Sequence, residues 1–155
     1  MIRINFIANI PYKYQGKTRA GQDPRTMCDD YPVYRYADLL LMIAEAKSLT
    51  GGDPTAEINM IRKRAYGENY NNEVAYPNQA NDVNVNEAIL HERFLEFMLE
   101  GKRWYDLRRF GNEYVFEYTT ANPQYPKRLI WPIDVQTMVK NPAIHQTEGY
   151  ETTMN

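Results

Sequence analysis

The chain has 155 residues, of which 43% are hydrophobic and 25% charged, and these fractions are those of an ordinary globular protein. A net charge of −2 without a basic tract argues against a nucleic-acid or anionic-membrane surface. The single cysteine, Cys28, excludes an internal disulfide framework, and the longest apolar run, residues 39–44, is too short to span a bilayer.

The first 32 residues carry little helical pattern. Ile2, Ile4 and Phe6 alternate with polar residues, which predicts a short strand, and a long irregular loop follows. No apolar run precedes Cys28, so this residue is not expected to be a lipid-attachment cysteine behind a signal peptide. We expect either a cytoplasmic protein or a chain that lacks its natural N-terminus.

Two helices are predicted next, over residues 33–50 and 54–65. The middle of the first helix is apolar all round and should be buried. Within it, Arg35 and Asp38 can pair one turn apart. Asp53 is expected to be the N-cap of the second helix, with Pro54 at its first position. The pair has the size of a tetratricopeptide-like hairpin, in one copy only.

A polar segment rich in Asn and Tyr occupies residues 66–85. Tyr66, Tyr70 and Tyr76 are candidate ligand-binding residues, because Tyr rings stack on sugars while their hydroxyls stay solvated. The neighbouring Asn amides could hydrogen-bond sugar hydroxyls. The alternative, a disordered or partner-covered surface loop, remains open.

The most distinctive stretch is residues 86–111, where Asn86 is expected to cap a long helix that Gly101 interrupts. Its apolar residues sweep an arc of roughly 200° on a helical wheel. That arc contains Leu90, Phe94, Leu95, Phe97, Met98 and Leu99. We expect a helix buried on several sides, whose opposite charged stripe must find partners.

Glu92 and Glu96 lie one turn apart in that stripe, and paired carboxylates suggest a retaining glycosidase. Two carboxylates on one turn of one helix, however, cannot easily flank a sugar. The favoured interpretation is a buried Arg–Glu network that fixes how three helices pack. We therefore predict no catalytic residue and assign structural roles to Arg35, Glu45, Arg62, Arg64, Glu92, Glu96, Arg103, Trp104 and Asp106.

A metal site is not predicted. His91-Glu92 matches the start of a zinc-protease helix, but Leu95 stands where the second His is needed. His91 is expected to be a hydrogen-bonded core residue. No phosphate loop, nucleophile elbow or Cys/His cluster is present, so no cofactor is expected.

The helical pattern stops after Gly111, and residues 112–155 are predicted to be extended coil. Residues 129–131 are a strand candidate, and residues 134–139 are expected to form one helical turn. Trp131 could stack on a ligand.

Four motifs in order resemble the C-terminal region of the SusD/RagB family. They lie at residues 35–46, 58–65, 92–110 and 141–150, and the most specific run is Glu-Gly-x-Arg-Trp-x-Asp-Leu-Arg-Arg from residue 100. The resemblance covers about residues 30 to 150. Thr147-Glu148 replaces the usual Asn-Pro, and Asp134 stands where a second proline is usual.

The resemblance implies a mostly α fold of tetratricopeptide-like helix pairs with long irregular loops and one or two short strands. It implies a C-terminal piece of a longer domain, with residues 1–32 irregular or strand, 33–111 a helical core and 112–155 coil. Family members are outer-membrane, cell-surface lipoproteins of Bacteroidetes that bind glycans or other nutrients.

The resemblance also implies a binding protein, not an enzyme, that delivers an oligosaccharide or other nutrient to a SusC-like TonB-dependent transporter. Any membrane attachment would be through a lipid anchor outside this chain. Two alternatives remain: a free-standing helical interaction module that uses residues 33–65, and a glycan-processing enzyme that uses Glu92 and Glu96.

If the charged stripe is a buried pair network, replacing Glu96 or Arg103 with alanine should destabilise the fold by several kcal/mol, because it leaves a buried charge uncompensated. Thermal melting measures this. A midpoint that moves by less than about one degree would show that the stripe is solvated.

Overall fold

The computed structural model describes residues 4–5, 10–11, 21, 32–80 and 82–150. The helices are α1 (Tyr36–Leu49), α2 (Thr55–Tyr66), α3 (Val85–Glu96), α4 (Arg103–Phe110), α5 (Asn112–Tyr118) and α6 (Val135–Lys140). Short 3-10 helices lie at Gly67–Asn69 and Pro126–Leu129. The predicted mostly α class is confirmed.

Two short strands, β1 (Ile4–Asn5) and β2 (Ile10–Pro11), pair antiparallel with Ile4 opposite Pro11. The strand predicted around Ile4 is therefore present. The remaining alternating positions, Ile2 and Phe6, lie outside the described residues, as does Cys28.

The chain divides into two compact units, Met1–Asp106 and Leu107–Asn155. In the first unit, α1 packs against both α2 and α3, and α2 also contacts α3. Its apolar cluster consists of Ala37, Leu40, Leu41, Ile61 and Phe97. The predicted hairpin is thus the centre of the unit, and α3 closes it.

Both predicted helix caps are displaced by one or two residues. Pro54 occupies the N-cap position of α2, and Asp53 just before it accepts the N–H of Thr55 at 2.9 Å. Asn84, not Asn86, caps α3, and its Oδ1 accepts the N–H of Glu87 at 2.8 Å. Nearby polar residues offer the same capping chemistry, so the sequence does not decide between them.

The predicted burial of the apolar arc is wrong in part, because Leu90 and Phe97 are buried but other residues of the arc are exposed. Phe94 and Leu95 are each 43% exposed, whereas Ile89 is fully buried. Glu92 and Arg93 are buried as well. A helical wheel counts apolar side chains only, and it therefore fails when a helix buries ion pairs on its inner side.

The helix also ends earlier than predicted. α3 stops at Glu96, and a turn of residues 97–102 leads into α4. Leu99 and Gly101 have φ angles of 68° and 70°, in the left-handed region. Glycine adopts such angles freely, but leucine does so at a cost, so the turn is strained at Leu99.

The second unit corrects the prediction of extended coil for residues 112–155. It contains α5 and α6, and the strand candidate at residues 129–131 is instead the end of a 3-10 helix and the chain after it. α5 has seven residues, and Val115 is the only one of them that is buried. The sequence therefore lacks the helical spacing of apolar residues that would predict this helix. The helical turn predicted at residues 134–139 is present as α6, capped by Asp134.

Side chains hold the irregular part of this unit in place. Gln146 accepts the N–H of Ile133 at 2.7 Å and donates to its carbonyl at 3.0 Å. The Tyr150 hydroxyl donates to the carbonyls of Arg128 and Ile130, at 3.2 and 3.1 Å. Among the helices in the described ranges, none has the length and hydropathy needed to cross a bilayer.

The strain at Leu99 yields a matched pair of variants. Leu99→Asn should leave stability unchanged or raise it, because Asn tolerates the left-handed region. Leu99→Ile should destabilise by about 1–2 kcal/mol, because a β-branched residue does not tolerate that region. Chemical denaturation measures both, and equal stabilities for the two variants would contradict the assigned turn.

Candidate functional site

Arg62, on the inner face of α2, connects three elements of the first unit. It is 1% exposed. Its Nε donates to Glu92 on α3 at 2.7 Å, and Nη1 and Nη2 donate to the two carboxylate oxygens of Asp82 at 2.8 and 2.7 Å. One planar guanidinium therefore joins α2 to α3 and to the loop before α3, with fixed geometry.

The charges of this cluster stabilise one another against the cost of burial. Burial opposes the charge on Arg62, but Asp82 and Glu92 outweigh it and raise the pKa of the guanidinium. Burial likewise opposes ionisation of Asp82, yet hydrogen bonds from Arg62 and Gln79 hold the pKa of its carboxyl below the ordinary value. Asp82 thus contributes stability above an ordinary aspartate pKa, and that contribution is lost as pH falls toward its lowered pKa.

Glu92 behaves differently from Asp82. Burial raises the pKa of the Glu92 carboxyl although Arg62 opposes the shift. The raised pKa does not make Glu92 available for proton transfer in a cleft, because its carboxylate accepts the Arg62 Nε hydrogen bond and its side chain is buried.

The Tyr/Asn loop, residues 66–84, is tied to α2. Asn59 accepts the N–H of Tyr76 at 2.7 Å and donates to its carbonyl at 3.2 Å. Arg62 Nη1 lies 3.3 Å from the carbonyl of Val74, and Asp82 accepts the N–H of Gln79 at 2.8 Å. The described part of this loop is therefore held to α2 by partly buried hydrogen bonds.

The three tyrosines predicted to bind ligand differ in exposure and in their contacts. Tyr66 is 37% exposed, and its hydroxyl accepts a hydrogen bond from the Gln79 amide at 2.9 Å. Tyr70 and Tyr76 are half-buried. The Arg62 guanidinium lies 5.8 Å from the Tyr76 ring centroid, and burial raises the pKa of the Tyr76 hydroxyl. Tyr66 is thus the best stacking platform of the three.

Two Asn side chains of this loop hydrogen-bond to the loop's own backbone. Asn71 accepts the N–H groups of Glu73 and Val74, at 2.8 and 3.3 Å. Asn78 donates to the carbonyl of Asn72 at 2.9 Å. These amides hold turns, which is the common use of Asn in loops, and so they are less suited to sugar hydroxyls than the sequence suggested.

A second ionic cluster surrounds the buried ring of Phe97. The cationic groups of Arg35, Arg93 and Lys102 lie 4.7, 4.8 and 4.9 Å from its centroid. Arg35 Nε donates to Glu100 at 3.1 Å, and its Nη1 is paired with Glu96. Burial opposes the charge on Arg35, but these two carboxylates raise the pKa of its guanidinium.

Asp38 of α1 pairs with two of these three cations. It forms ion pairs with Arg93 at 3.3 Å and with Lys102. Arg93 also pairs with Asp106 at 2.8 Å. The expected Arg35–Asp38 pair is therefore replaced by pairs that reach α3 and the turn after it.

The remaining predicted structural residues lie around these clusters. Arg64 pairs with Glu96, so Glu96 joins two arginines. Arg103 donates to the carbonyl of Leu90 at 2.9 Å, and its guanidinium lies 5.0 Å from the Phe94 ring centroid. Glu45 and Trp104 are half-buried, and Asp106 is buried.

Sequence reasoning missed Asp82 and Lys102, and it paired Asp38 with the wrong partner. Asp82 stands alone in a polar loop, 20 residues from Arg62. No local spacing rule connects residues that far apart, because such rules cover one helical turn or one strand pair. The sequence indicated only that several arginines were available to pair with the carboxylates of residues 92–100.

His91 is half-buried. Burial and the nearby charge of Arg62 lower the pKa of its imidazole. Within the described residues, no three His, Cys, Asp or Glu side chains are grouped so as to hold a metal ion.

A groove with a volume of about 410 Å³ lies between α1 and α2. It is lined by Arg35, Tyr36, Ala37, Leu40, Met60, Ile61 and Arg64. Its volume is that of a small-ligand pocket, but both arginines are already paired with Glu96 and the other lining residues except Tyr36 are apolar. The groove therefore suits an apolar side chain better than a sugar.

Removing the Arg62 side chain should be costly. Arg62→Ala is expected to destabilise the fold by about 3–5 kcal/mol, because it leaves two carboxylates without their buried cation. Arg62→Lys should recover little, since an ammonium cannot bond Glu92 and Asp82 in this forked arrangement. Lys63→Ala is the control, because Lys63 is exposed on the next position of α2.

Denaturant unfolding followed by circular dichroism measures the three variants. A loss below about 1 kcal/mol for Arg62→Ala, or equal losses for residues 62 and 63, would show that the cluster does not hold the helices together.

The sequence has relatives among known proteins. Residues 10–150 match the profile of the SusD family. The starch-binding protein SusD of Bacteroides thetaiotaomicron is 34% identical over 133 residues, which are 79% of this chain and 22% of that protein. The SusD-like protein P38 of Formosa agariphila is 34% identical over 123 residues, 76% of this chain and 24% of that protein.

Two solved structures are also similar. A SusD superfamily protein from Bacteroides vulgatus has a TM-score of 0.81 and 48% identity, over 92% of this chain and 33% of that chain. NanU of B. fragilis has a TM-score of 0.82 and 44% identity, over 97% of this chain and 34% of that chain. The chain thus spans about a quarter to a third of the length of these relatives. By sequence profile and by fold, the chain belongs to the SusD/RagB family.

Proposed function

We propose that this chain is the helical scaffold and one ligand-facing loop of a nutrient-binding protein at the bacterial cell surface. The observation that carries the proposal is the family match over residues 10–150. One relative is named a starch-binding protein, and we extend to this chain the binding of a glycan or another nutrient.

The finer parts of the proposal follow the family resemblance. The ligand is delivered to a SusC-like TonB-dependent transporter of the outer membrane. Attachment to the membrane is through a lipid anchor. The protein acts by binding and performs no catalysis.

The state of the two candidate catalytic carboxylates supports binding over catalysis. Glu92 accepts from Arg62, and Glu96 is paired with both Arg35 and Arg64. A general acid or nucleophile must approach a substrate atom within hydrogen-bonding distance. Carboxylates held in this way serve as structural anchors, which makes the glycan-processing alternative the weaker one.

The Tyr/Asn loop is the part of the chain best suited to meet a ligand. Its backbone is held to α2 through Asn59 and Arg62, so little conformational entropy is lost when a ligand binds. Tyr66 offers an exposed ring at one end of the loop, with Tyr70 and Tyr76 half-buried beside it along the chain. We propose that a sugar ring stacks on Tyr66.

The second candidate function, a helical interaction module, is favoured by one observation. The side of α1 that faces away from the core is apolar and exposed. This surface is compatible with nutrient binding elsewhere in the chain.

Binding is tested by isothermal titration of the chain against a panel of oligosaccharides and peptides. Tyr66→Ala should weaken the best ligand by about tenfold, the loss expected for one aromatic stacking contact with its buried area. Tyr105→Ala is the matched control, because Tyr105 is more exposed and lies on α4, outside the loop.

If Tyr66→Ala and Tyr105→Ala reduce the affinity equally, the binding site does not include Tyr66. Heat signals absent for every member of the panel would count against nutrient binding by this chain.

A further inference from the structure

The Gln79 side chain connects the buried cluster around Arg62 to the exposed ring of Tyr66. Its backbone N–H donates to Asp82 at 2.8 Å, and the same carboxylate oxygen accepts from Arg62. Its amide nitrogen, Nε2, donates to the Tyr66 hydroxyl at 2.9 Å and to the carbonyl of Val74 at 3.3 Å. A chain of hydrogen bonds therefore runs from the buried guanidinium to the candidate stacking platform.

The Val74 carbonyl fixes the orientation of the Gln79 amide. A carbonyl oxygen only accepts hydrogen bonds, so the nitrogen of the Gln79 amide faces it, and not the oxygen. Arg62 Nη1 donates to the same carbonyl at 3.3 Å, which holds this acceptor in place. One hydrogen of the Gln79 amide therefore reaches Val74, and the other reaches the Tyr66 hydroxyl.

The direction of the Gln79–Tyr66 bond determines what the Tyr66 hydroxyl can offer to a ligand. A phenol has one hydrogen to donate, and an amide NH2 group cannot accept it. The hydroxyl therefore accepts from Gln79 and keeps its own hydrogen for another acceptor. Within the part of the chain that the structure describes, no residue accepts that hydrogen.

We propose that Gln79 is a positioning residue that holds the Tyr66 ring and leaves its hydroxyl as a hydrogen-bond donor to an oligosaccharide. The inference rests on the sugar stacking proposed above and adds a polar contact to it. A stacked sugar lies over the face of the ring, whereas the hydroxyl lies at the edge of the ring and in its plane. The donor therefore reaches an oxygen of the sugar residue next to the stacked one, which favours an oligosaccharide over a monosaccharide.

The location of the two side chains suits this arrangement. Tyr66 is 37% exposed, whereas Gln79 is half-buried. Tyr66 is the last residue of α2, so the helix fixes its backbone while Gln79 holds the hydroxyl end of its side chain. A ring held at both ends loses little rotational freedom when a sugar stacks on it.

The first measurement needs no ligand. The side-chain amide signal of Gln79 is followed by NMR in protein that contains isotope-labelled glutamine, and Gln79→Met identifies that signal by removing it. Tyr66→Phe should move the signal, because the acceptor oxygen is lost. Tyr105→Phe is the control, because Tyr105 is exposed on α4. An unmoved signal in Tyr66→Phe would show that the bond is not made and would overturn the proposal.

The second measurement is isothermal titration with maltoheptaose, a starch oligosaccharide, because one relative is named a starch-binding protein. Tyr66→Phe keeps the stacking ring and removes the donor, so the affinity should fall about threefold to tenfold, the range for one hydrogen bond. Gln79→Met should weaken binding to a similar extent. In the Tyr66→Phe background it should change the affinity by less than about twofold, because its effect passes through the missing hydroxyl. Gln136→Met is the control, because Gln136 is exposed on α6.

Three results of the titration would overturn the proposal. If Tyr66→Phe binds maltoheptaose as tightly as the unmodified chain while Tyr66→Ala binds it more weakly, the sugar uses the ring and not the hydroxyl, and the proposed function stands without this inference. If Gln79→Met has the same effect in both backgrounds, Gln79 does not act through Tyr66. If the unmodified chain gives no heat with maltoheptaose, stacking and donation to a starch oligosaccharide are both wrong.

Discussion

The arrangement of the first unit depends on the buried guanidinium of Arg62. A charge that is 1% exposed is stable only if its donors are satisfied, and the carboxylates of Glu92 and Asp82 satisfy them from α3 and from the preceding loop. This requirement turns α3 so that its charges point inward and Phe94 points outward. The same contact gives the Tyr/Asn loop its anchor, so helix packing and loop order have one physical cause.

These constraints divide the surface into regions with different uses. Glu92 and Glu96 of α3 are paired with arginines and serve packing. The loop exposes Tyr66, whose ring can stack on a sugar, while its Asn71 and Asn78 amides hold the backbone. The outward side of α1 exposes apolar residues, and the adjoining groove is apolar apart from Tyr36 and two arginines that are paired with Glu96. In the function that we propose, the ligand contacts this anchored loop, and the helices serve as its scaffold.

The sequence predicts the parts of the fold that follow local rules. The apolar runs and turn residues placed the α1–α2 hairpin correctly, and Asp134 marked the start of α6. It placed only part of the buried side of α3, because a helical wheel weighs apolar residues and does not show which charged residues are buried as ion pairs. It also missed α5, which buries one residue, and the turn in which Leu99 adopts a conformation that leucine disfavours. The Arg62–Asp82 contact could not be predicted, because no spacing rule for helices or strands connects residues 20 positions apart.

The most direct test of this account is a double-mutant cycle between Arg62 and Asp82, measured by denaturant unfolding. If the buried fork holds α2 to the loop before α3, the two alanine substitutions should be coupled by about 2–3 kcal/mol, the upper range for residues in direct contact. Losses that add to within about 0.5 kcal/mol would show that the two side chains act independently, and the cluster could not then be the centre of the fold.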